Sequence, residues 1–394
     1  MGPGPFASRT RPAGGASLIL LALAASGCVF GPDPAKRNPE LVGVAPLLSA
    51  SALEVVVELP SPPGNLAVGS NGRVYFSFHP EAPPQPAKVC ELLADGSYRP
   101  FPDAGWQHER EGQPCFVTPL ALRADRQGRL WVLDHGDYGD ERPSLTAFDL
   151  ETRAVVHRFE FPKSAARWGS MLNDFAVDEE RGWVYIADTG PYTFDPALIV
   201  YDITKQVARR VLEDEECVQP ADHHLVVQGR FMKAFGLPLQ LGVDTIGLTA
   251  DGETLFFAPL SGAKVYAVPT AALRDPALDE DALLAQVEVR GPKPATDGGI
   301  VDAHADFYLT AVEHDALAVL RSDGRLEKLV ESKELLAWPD GLALSPDGQT
   351  LYASVSQLHH VIGQDPDELP RWRPYRIVSV RLPPHQEPQD RQVR

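Results

Sequence analysis

The sequence lacks most of the short signatures by which an enzyme is recognised. G-x-S-x-G, H-E-x-x-H, the P-loop, G-x-G-x-x-G and the EF-hand loop are all absent, which disfavours a serine hydrolase of that type and a nucleotide-dependent enzyme. The 394 residues include only four cysteines and no C-x-x-C pair, so a thiolate zinc site is not expected. Function must be sought in how residues are brought together in space.

Basic residues are scarce compared with acidic ones. The chain has 36 Lys and Arg against 54 Asp and Glu, a formal net charge of −18. A surface of this sign repels nucleic acid and anionic lipid. A small cationic or aromatic ligand is the more plausible partner, and no contact with nucleic acid is expected.

Long apolar runs are missing except near the N-terminus. Ala16–Ala25 (ASLILLALAA) is too short to span a bilayer and follows Arg9 and Arg11, as in the signal peptide of an exported protein. Ala25-Ser-Gly-Cys28 resembles a bacterial lipobox. We therefore expect residues 1–27 to be a signal peptide and Cys28 to be lipidated. The protein is then expected to be a lipoprotein of the outer membrane or cell surface. The alternative is a periplasmic or secreted protein.

Three further cysteines follow Cys28 in the sequence. Disulfides persist in exported proteins, and Cys90 and Cys115 lie in adjacent repeats of the chain. We predict a Cys90–Cys115 disulfide, which leaves Cys217 unpaired within a monomer. A monomer is the expected state.

One strand–turn–strand pattern recurs six times between a Pro-rich tether (28–50) and a polar tail (384–394). Each copy has a short apolar strand, a turn containing Gly in five of the six, and a strand rich in aromatic and β-branched residues. The copies span residues 65–77, 121–134, 174–188, 245–257, 298–310 and 341–353. Third and fourth strands follow in several copies, as in a propeller blade. We predict an all-β, six-bladed β-propeller over residues 51–383.

The two ends of the repeat region indicate how the ring closes. The last copy has a third strand at 375–380 but no fourth strand before the chain ends. A strand of the fourth type occurs instead at 53–58. The N-terminal strand is therefore predicted to complete the last blade, which removes the exposed sheet edges of an open array.

The residues that precede the innermost strands are expected to meet at one mouth of the channel. Four of the six are carboxylate or amide residues, and in chain order the six are Gly64, Leu120, Asn173, Asp244, Asp297 and Asp340. Oxygen ligands without Cys or His suit Ca²⁺ or another divalent cation. Asn173, Asp244, Asp297 and Asp340 are therefore candidate ligands for one Ca²⁺. The alternative is that these side chains only cap turns and bond to backbone amides.

A second set of loops is expected to reach the same mouth. Asp134 and His135 are the candidate catalytic pair, since a His beside carboxylates can act as a general acid or base. The other candidate ligand-binding residues of this mouth are Asn65, Asp174, Asp188, Glu313 and Gln357. A solvated loop histidine is the plainer alternative for His135.

Five segments together resemble the bacterial branch of the yellow/major royal jelly protein family, whose members are often described as related to L-dopachrome tautomerase. They are Pro63–Val68 (PGNLAV), Arg129–Asp134 (RLWVLD), Leu172–Val177 (LNDFAV), Ala258–Gly262 (APLSG) and Trp338–Ala343 (WPDGLA). The resemblance implies a secreted six-bladed propeller whose central channel binds small ligands, such as aromatic amines. The sequence departs from the family at Ser356 and His314, so the identity of the ligand is not transferred.

Three functions remain open at this point. The first is a propeller that binds a small aromatic or amine ligand, with dopachrome tautomerase-like activity. The second is a Ca²⁺-dependent lactone or ester hydrolase, because Asp297-Gly298 and Asp340-Gly341 resemble strand starts of gluconolactonase-type propellers. The third is a cell-surface interaction module without catalysis.

Overall fold

Four-stranded antiparallel sheets follow one another along the chain in the computed structural model, which describes residues 31–385. Within this part of the chain there are six such sheets, and each is a blade of a propeller. The first three blades contain β2 (Pro63–Val68), β3 (Val74–Phe78), β4 (Val89–Leu92) and β5 (Tyr98–Pro100) in blade 1; β6 (Pro119–Ala124), β7 (Arg129–Asp134), β8 (Ser144–Asp149) and β9 (Val155–Glu160) in blade 2; and β10 (Leu172–Asp178), β11 (Trp183–Asp188), β12 (Ala197–Asp202) and β13 (Val207–Val211) in blade 3. Two short hairpins follow, β14 (Val226–Val227) with β15 (Arg230–Phe231) and β16 (Lys233–Ala234) with β17 (Leu237–Pro238). The last three blades contain β18 (Val243–Leu248), β19 (Thr254–Pro259), β20 (Lys264–Pro269) and β21 (Glu288–Pro292) in blade 4; β22 (Gly299–Val301), β23 (Phe307–Ala311), β24 (Ala316–Leu320) and β25 (Leu326–Glu331) in blade 5; and β26 (Pro339–Leu344), β27 (Thr350–Val355), β28 (Tyr375–Arg381) and the N-terminal strand β1 (Leu53–Leu59) in blade 6.

Helices are short and lie in the connections between strands. The α-helices are α1 (Gly136–Gly139), α2 (Thr270–Arg274) and α3 (Glu280–Leu284), and the 3₁₀ helices are Pro34–Lys36, Ala50–Ala52, Ala104–Gln107, Leu358–His360 and Pro366–Trp372. No helix within residues 31–385 is both long and apolar enough to cross a membrane.

The ring closes through β1, as the sequence predicts. β1 pairs antiparallel with β28, from Leu53 opposite Val380 to Leu59 opposite Tyr375, and so becomes the outer strand of blade 6. The innermost strands β2, β6, β10, β18, β22 and β26 contact one another in that order, and β26 returns to β2. This arrangement confirms the predicted six-bladed β-propeller.

Apolar side chains fill the spaces between neighbouring blades. Trp131, Tyr185 and Phe257 on the second strands are fully buried, since each sheet packs on the preceding blade with one face and on the following blade with the other. Hydroxyl groups join the blades near the axis: Ser77 Oγ donates to the Leu120 carbonyl (2.7 Å), and Ser354 Oγ donates to the Gly64 carbonyl. The inner strands are therefore held in fixed positions around the channel.

The turn between the first and second strands has a left-handed residue in every blade. Gly occupies this position in five blades, with φ between 68° and 79° at 72, 128, 182, 252 and 348. Blade 5 has Ala305 there, with φ of 60°. Because a Cβ group is disfavoured in this region of φ, the repeated Gly of the sequence pattern reflects a backbone requirement.

Residues 33–50, predicted as part of a tether, instead lie against the propeller. The Asn38 side chain is buried and donates to the carbonyls of Gly262 (3.1 Å) and Lys293 (3.0 Å). Leu41 is buried between blades 4 and 5, and the amide of Leu47 donates to the Lys328 carbonyl on the outer strand of blade 5 (2.9 Å). The segment is fixed because it pairs with an exposed sheet edge and buries apolar surface.

The predicted Cys90–Cys115 disulfide is not formed. Cys90, Cys115 and Cys217 are all buried and free. Cys90 lies in β4 and packs in the cluster shared by blades 6 and 1, whereas Phe116, next to Cys115, packs in a different cluster with Trp106 and blade 2. The two thiols therefore belong to opposite sides of blade 1. The predicted signal peptide, Cys28 and residues 386–394 of the tail lie outside the described residues.

Candidate ligand site in the central channel

Two Asp-Gly pairs begin inner strands at the most crowded part of the channel. A Cβ on Gly298 would lie 2.2 Å from the Asp340 carbonyl oxygen, and a Cβ on Gly341 would lie 2.8 Å from the Cα of Asn65. Only glycine permits this approach of the backbones. The close packing brings the preceding carboxylates, Asp297 and Asp340, towards the same axis.

Asp174, Asp244, Asp297 and Asp340 form an acidic cluster around this axis, in which Asp297 is half-buried and the other three are buried. Asn173 donates its side-chain amide to Asp244, and the indole Nε1 of Trp338 donates to Asp297 Oδ2 (2.6 Å). Asp340 Oδ2 is buried and has no hydrogen-bond partner. The cluster is therefore only partly satisfied by the protein itself.

Burial and mutual repulsion raise the pKa values of these four carboxyl groups. Burial is the main cause for each, and it raises the pKa of both Asp174 and Asp297 to about 6. The pKa values of Asp244 and Asp340 are well above the ordinary range, because burial and the charges of neighbouring carboxylates, Asp297 first, both disfavour ionisation. A cation placed among them would favour their charged forms.

Two basic side chains compensate part of this negative charge. Arg123, on β6, donates to Asp174 and to Asn65 Oδ1 (3.2 Å). Lys293 is fully buried and donates to three backbone carbonyls at 3.0–3.2 Å, and burial lowers its pKa to about 7. Both groups use their donors on the protein, so they support the cluster rather than offer free bonds.

Two neutral histidines interact with each other, and one of them, His79, lies beside the acidic cluster. Burial lowers the pKa values of His79 and His135 to about 3. The Nδ1 atoms accept from the amides of Glu81 (3.1 Å) and Tyr138 (3.0 Å), respectively, so in each ring the Nε2 atom carries the proton. His79 Nε2 is 3.7 Å from Asp340 Oδ2, and His135 Nε2 has no partner. The site thus contains N–H donors as well as carboxylates.

A cap covers this mouth of the channel; we define it as residues 221–241 and 358–370. Leu225, Met232 and Leu369 of the cap share one apolar cluster with side chains from the loops of blades 1, 4, 5 and 6. Since the same cluster joins four blades, it must lie across the mouth. Trp338 belongs to this cluster and also bonds to Asp297, which links the cap to the acidic residues.

The opposite mouth is an open cavity of about 490 Å³. The turns between first and second strands line it, and Arg123 is also part of its wall. Its charges are paired: Arg126 contacts Glu179 and Glu180, and Arg181 contacts Asp178. This mouth therefore holds many charges with close partners, unlike the capped one.

Two of the candidate carboxylates bond to the backbone or to Arg. Asp134 accepts from the amides of Val117 (2.6 Å), Thr118 (2.8 Å) and Gly136 (3.0 Å). Asp188 accepts from Ser170 Oγ (2.7 Å) and the Met171 amide (2.9 Å) and pairs with Arg210. Their bonds fix loops, so the structure does not favour a catalytic Asp134 or a ligand-binding Asp188.

Glu313 and Gln357 also serve the surrounding structure. Glu313 accepts from Arg37 (3.1 Å), the Val226 amide (2.9 Å) and His223 (2.9 Å), and so joins the N-terminal segment to the cap. Gln357 has φ of 51° and donates to the carbonyls of Trp372 and Pro374, each at 3.3 Å. Both side chains stabilise the covering loops.

No group of three or more His, Cys, Asp or Glu side chains within residues 31–385 is arranged to hold a metal ion. The candidate Ca²⁺ ligands include two side chains already bonded to protein donors, Asp244 to Asn173 and Asp297 to Trp338. These two carboxylates therefore have protein partners of their own, and the Ca²⁺ site stays a prediction.

Arg123, Lys293 and Trp338 are site residues that the sequence reasoning missed. Arg123 could have been recognised from the sequence, because it is a charged residue at an inner-strand position where other repeats have small or apolar residues such as Ala176 and Ala343. Lys293 gave no such signal, since nothing in its sequence neighbourhood indicates that three carbonyls surround it.

The family model for major royal jelly protein matches residues 117–383. The chain belongs to the major royal jelly protein family. Protein yellow from Drosophila yakuba is 25% identical over 289 residues, which cover 68% of this chain and 46% of that protein. Major royal jelly protein 3 from Apis mellifera is 25% identical over 255 residues, with 61% and 44% covered. The chain thus spans a little under half the length of these major royal jelly family relatives.

Solved structures similar to this major royal jelly family member share its architecture. The calcium-binding protein regucalcin from Agrobacterium tumefaciens superposes with a TM-score of 0.56 at 14% identity, covering 86% of this chain and 95% of that one. A gluconolactonase from Xanthomonas campestris gives 0.53 at 14% identity, covering 84% and 89%. At this level of identity the likeness establishes the fold alone.

Proposed function

We propose that this propeller binds a small organic cation, of the aromatic amine class, in the acidic cluster beneath the cap. The observation that carries the proposal is the buried Asp340 Oδ2, which has no partner and lies among carboxyl groups of raised pKa. Buried polar groups in proteins are nearly always satisfied. A protonated amine would satisfy Asp340 and offset the repulsion within the cluster.

The neighbouring histidines add a second requirement for the ligand. His79 presents an Nε2–H donor at the side of Asp340, and the Nε2–H of His135, which interacts with His79, has no partner. A hydroxyl or carbonyl oxygen would accept from them, while the ammonium group would contact the carboxylates. The best ligand is therefore an amine that also carries an oxygen acceptor, such as a hydroxylated phenylethylamine.

Calorimetric titration with tyramine tests this proposal, and tyrosol is the matched neutral ligand because a hydroxyl replaces the amine. We expect tyramine to bind and tyrosol to bind at least about tenfold more weakly, a difference of about 1.4 kcal/mol. Affinity for tyramine should rise from pH 5 to pH 8, because carboxyls with pKa of about 6 ionise over this range.

Asp340→Asn and Asp347→Asn provide the matched pair of variants. Asp340→Asn removes the unpartnered charge and should abolish the preference for tyramine over tyrosol. Asp347→Asn changes an exposed carboxylate that accepts from the Gln349 amide in a turn of the opposite mouth (3.0 Å), and should leave binding unchanged. Equal binding of both ligands, or of tyramine to wild type and Asp340→Asn, would contradict the proposal.

Proton transfer within the bound ligand is a second candidate function, of the dopachrome tautomerase type. A carboxyl group with pKa of about 6, such as Asp297, can both accept and return a proton near neutral pH. The decay of dopachrome absorbance should be faster with wild type than with Asp297→Asn. Equal rates in the two proteins would remove this activity while leaving the binding proposal in place.

The Ca²⁺-dependent lactonase alternative has a separate test. It requires a cation held by Asn173, Asp244, Asp297 and Asp340. Thermal melting with Ca²⁺ and with EDTA should then differ, since a ligand bound only to the folded state stabilises it. We expect no difference, because the described carboxylates are not arranged around one ion; a stabilisation that Asp340→Asn abolishes would favour the lactonase instead.

A further inference from the structure

Large apolar side chains are exposed around the capped mouth. Trp168 is 65% exposed, Phe194 and Phe235 are each 81% exposed, and Leu237 is 69% exposed. They lie on loops of blades 2 and 3 and on the β16–β17 hairpin of the cap. Soluble proteins rarely present so many large apolar groups together unless another surface covers them.

Contacts at Tyr192 place these loops beside one another. Tyr192 lies 4.8 Å from Tyr138 and 6.3 Å from Phe235 between ring centroids. A Cβ on Gly169 would lie 3.2 Å from the Cβ of Tyr192, which brings the Trp168 loop beside Tyr192. We call Trp168, Tyr192, Phe194, Phe235 and Leu237 the aromatic patch.

The N-terminal segment begins on the same side of the propeller. The Asp33 amide donates to His224 Nδ1 (2.8 Å), and Lys36 pairs with Asp222 (2.5 Å). His224 and Asp222 belong to the cap that also carries Phe235. The chain therefore leaves the propeller, in the N-terminal direction, at the cap.

The linkage to Cys28 is short. Cys28 is five residues before Asp33, and an extended chain spans at most about 3.6 Å per residue. Cys28 can thus be no further than about 18 Å from Asp33. An acyl group at Cys28 would hold the cap side, rather than the open mouth, next to a bilayer.

We propose that the aromatic patch is the membrane-facing surface of this protein and rests on a lipid bilayer to which acylated Cys28 attaches the chain. Trp, Tyr and Phe are the side chains that enter the interfacial region of a bilayer, and one acyl chain needs a second contact for stable attachment. The open mouth then faces away from the membrane. This inference rests on the expected acylation and is independent of the proposed ligand.

The charges near the patch specify the kind of lipid. Burial first, and then the charges of Glu81 and Asp137, raise the pKa of Tyr192, so acidic groups lie at the edge of the patch. The chain is also strongly acidic overall. A zwitterionic surface such as phosphatidylcholine should therefore bind better than one rich in phosphatidylglycerol.

The test uses the full chain, produced with its own N-terminus and incorporated into phosphatidylcholine vesicles that contain brominated lipid. Bromine quenches tryptophan that enters the bilayer interface. We expect quenching that falls in Trp168→Phe but is retained in Trp183→Phe, since Trp183 begins β11 next to the opposite mouth. Vesicle-bound protein without quenching of Trp168 would overturn the proposal even if Cys28 is acylated.

A second measurement separates the surface from the acyl group. Cys28→Ser cannot be acylated, so its sedimentation with phosphatidylcholine vesicles reports the patch alone. Adding Phe194→Ser and Phe235→Ser should lower the bound fraction at least about tenfold. The control variant adds Val156→Ser and Val207→Ser instead, which change exposed side chains on the outer strands of blades 2 and 3. It should bind vesicles to the same extent as Cys28→Ser. The proposal would be wrong if Cys28→Ser did not bind vesicles. It would also be wrong if the protein formed a dimer that the two Phe substitutions dissociated, because the patch would then be a dimer interface.

Discussion

The two mouths of the channel use similar residue types in opposite ways. At the open mouth, Arg126 and Glu179 pair at the surface, where water and a close partner satisfy each charge. Beneath the cap, Asp244 and Asp340 are buried and Asp297 is half-buried, all three have fewer partners, and their pKa values are raised. Acidic residues are common at both, so composition does not distinguish them. Burial gives the capped mouth its capacity to bind a cation.

Replacing Arg123 should have the largest effect on stability among the substitutions that compare the two mouths. Arg123→Met leaves Asp174 buried without its partner, and we expect the free energy of unfolding at pH 7.5 to fall by about 3–5 kcal/mol. Arg126→Met, at the open mouth, should change it by less than about 1 kcal/mol. Urea unfolding measures both values. Equal losses would contradict the distinction between the mouths.

Neutralising Asp340 should stabilise the ligand-free protein at neutral pH. The folded-state pKa of Asp340 is raised, so the folded protein binds this proton more tightly than the unfolded chain does. Stability is therefore lost as pH rises above the unfolded value of about 4. Asp340→Asn removes this loss, and we expect a higher free energy of unfolding at pH 7.5 and no change near pH 4. Asp347→Asn should give no gain at either pH.

The link between cap and cluster is tested at Trp338. Trp338→Phe keeps an aromatic ring but deletes the donor to Asp297 Oδ2. We expect a loss of about 1–2 kcal/mol in chemical denaturation at pH 7.5, typical of a lost hydrogen bond to a buried charged group. Trp183→Phe should lose less, since its ring is only partly buried. At pH 4 Asp297 is protonated, because its pKa is about 6. If Trp338→Phe lowered the free energy of unfolding equally at pH 4 and pH 7.5, the loss would come from packing alone.

The smallest expected effect is at a turn of the open mouth. Ala305 has φ of 60°, where the other five blades have Gly. Ala305→Gly should raise the free energy of unfolding by about 0.5–1 kcal/mol, because it relieves the left-handed strain. Gly348→Ala tests the reverse at the equivalent turn of blade 6, where a Cβ would meet nothing within 4 Å. A stability loss in Ala305→Gly would show that the Ala305 side chain matters more than its backbone.

Part of the candidate site could be predicted from the sequence. Aligning the six repeats predicts that Asn173, Asp244, Asp297 and Asp340 begin inner strands, and their meeting follows from the ring alone. The alignment does not show which carboxylates at this mouth have a charged partner. Asp188 is paired with Arg210, 22 residues further on, whereas Asp244 faces other carboxylates.

The disulfide and the tether show why local patterns fall short. Cys90 and Cys115 are close in sequence, but Cys90 and Phe116, the neighbour of Cys115, pack in clusters on opposite sides of one blade. Residues 33–50 are rich in proline, yet Asn38 finds two carbonyls and Leu41 an apolar site on the propeller. Each outcome depends on partners from distant parts of the chain.

The sequence by itself determined the blade count, the turn positions and the closing strand, because each depends on a local period of apolar residues and on glycine at positive φ. Tertiary structure alone decided which carboxylates are satisfied, which histidines stay neutral and which mouth is capped. Desolvation and pairing depend on side chains far apart in the sequence, such as those of Arg37 and Glu313, which are 276 residues apart. No local pattern can encode those contacts, since they exist only once the ring has closed.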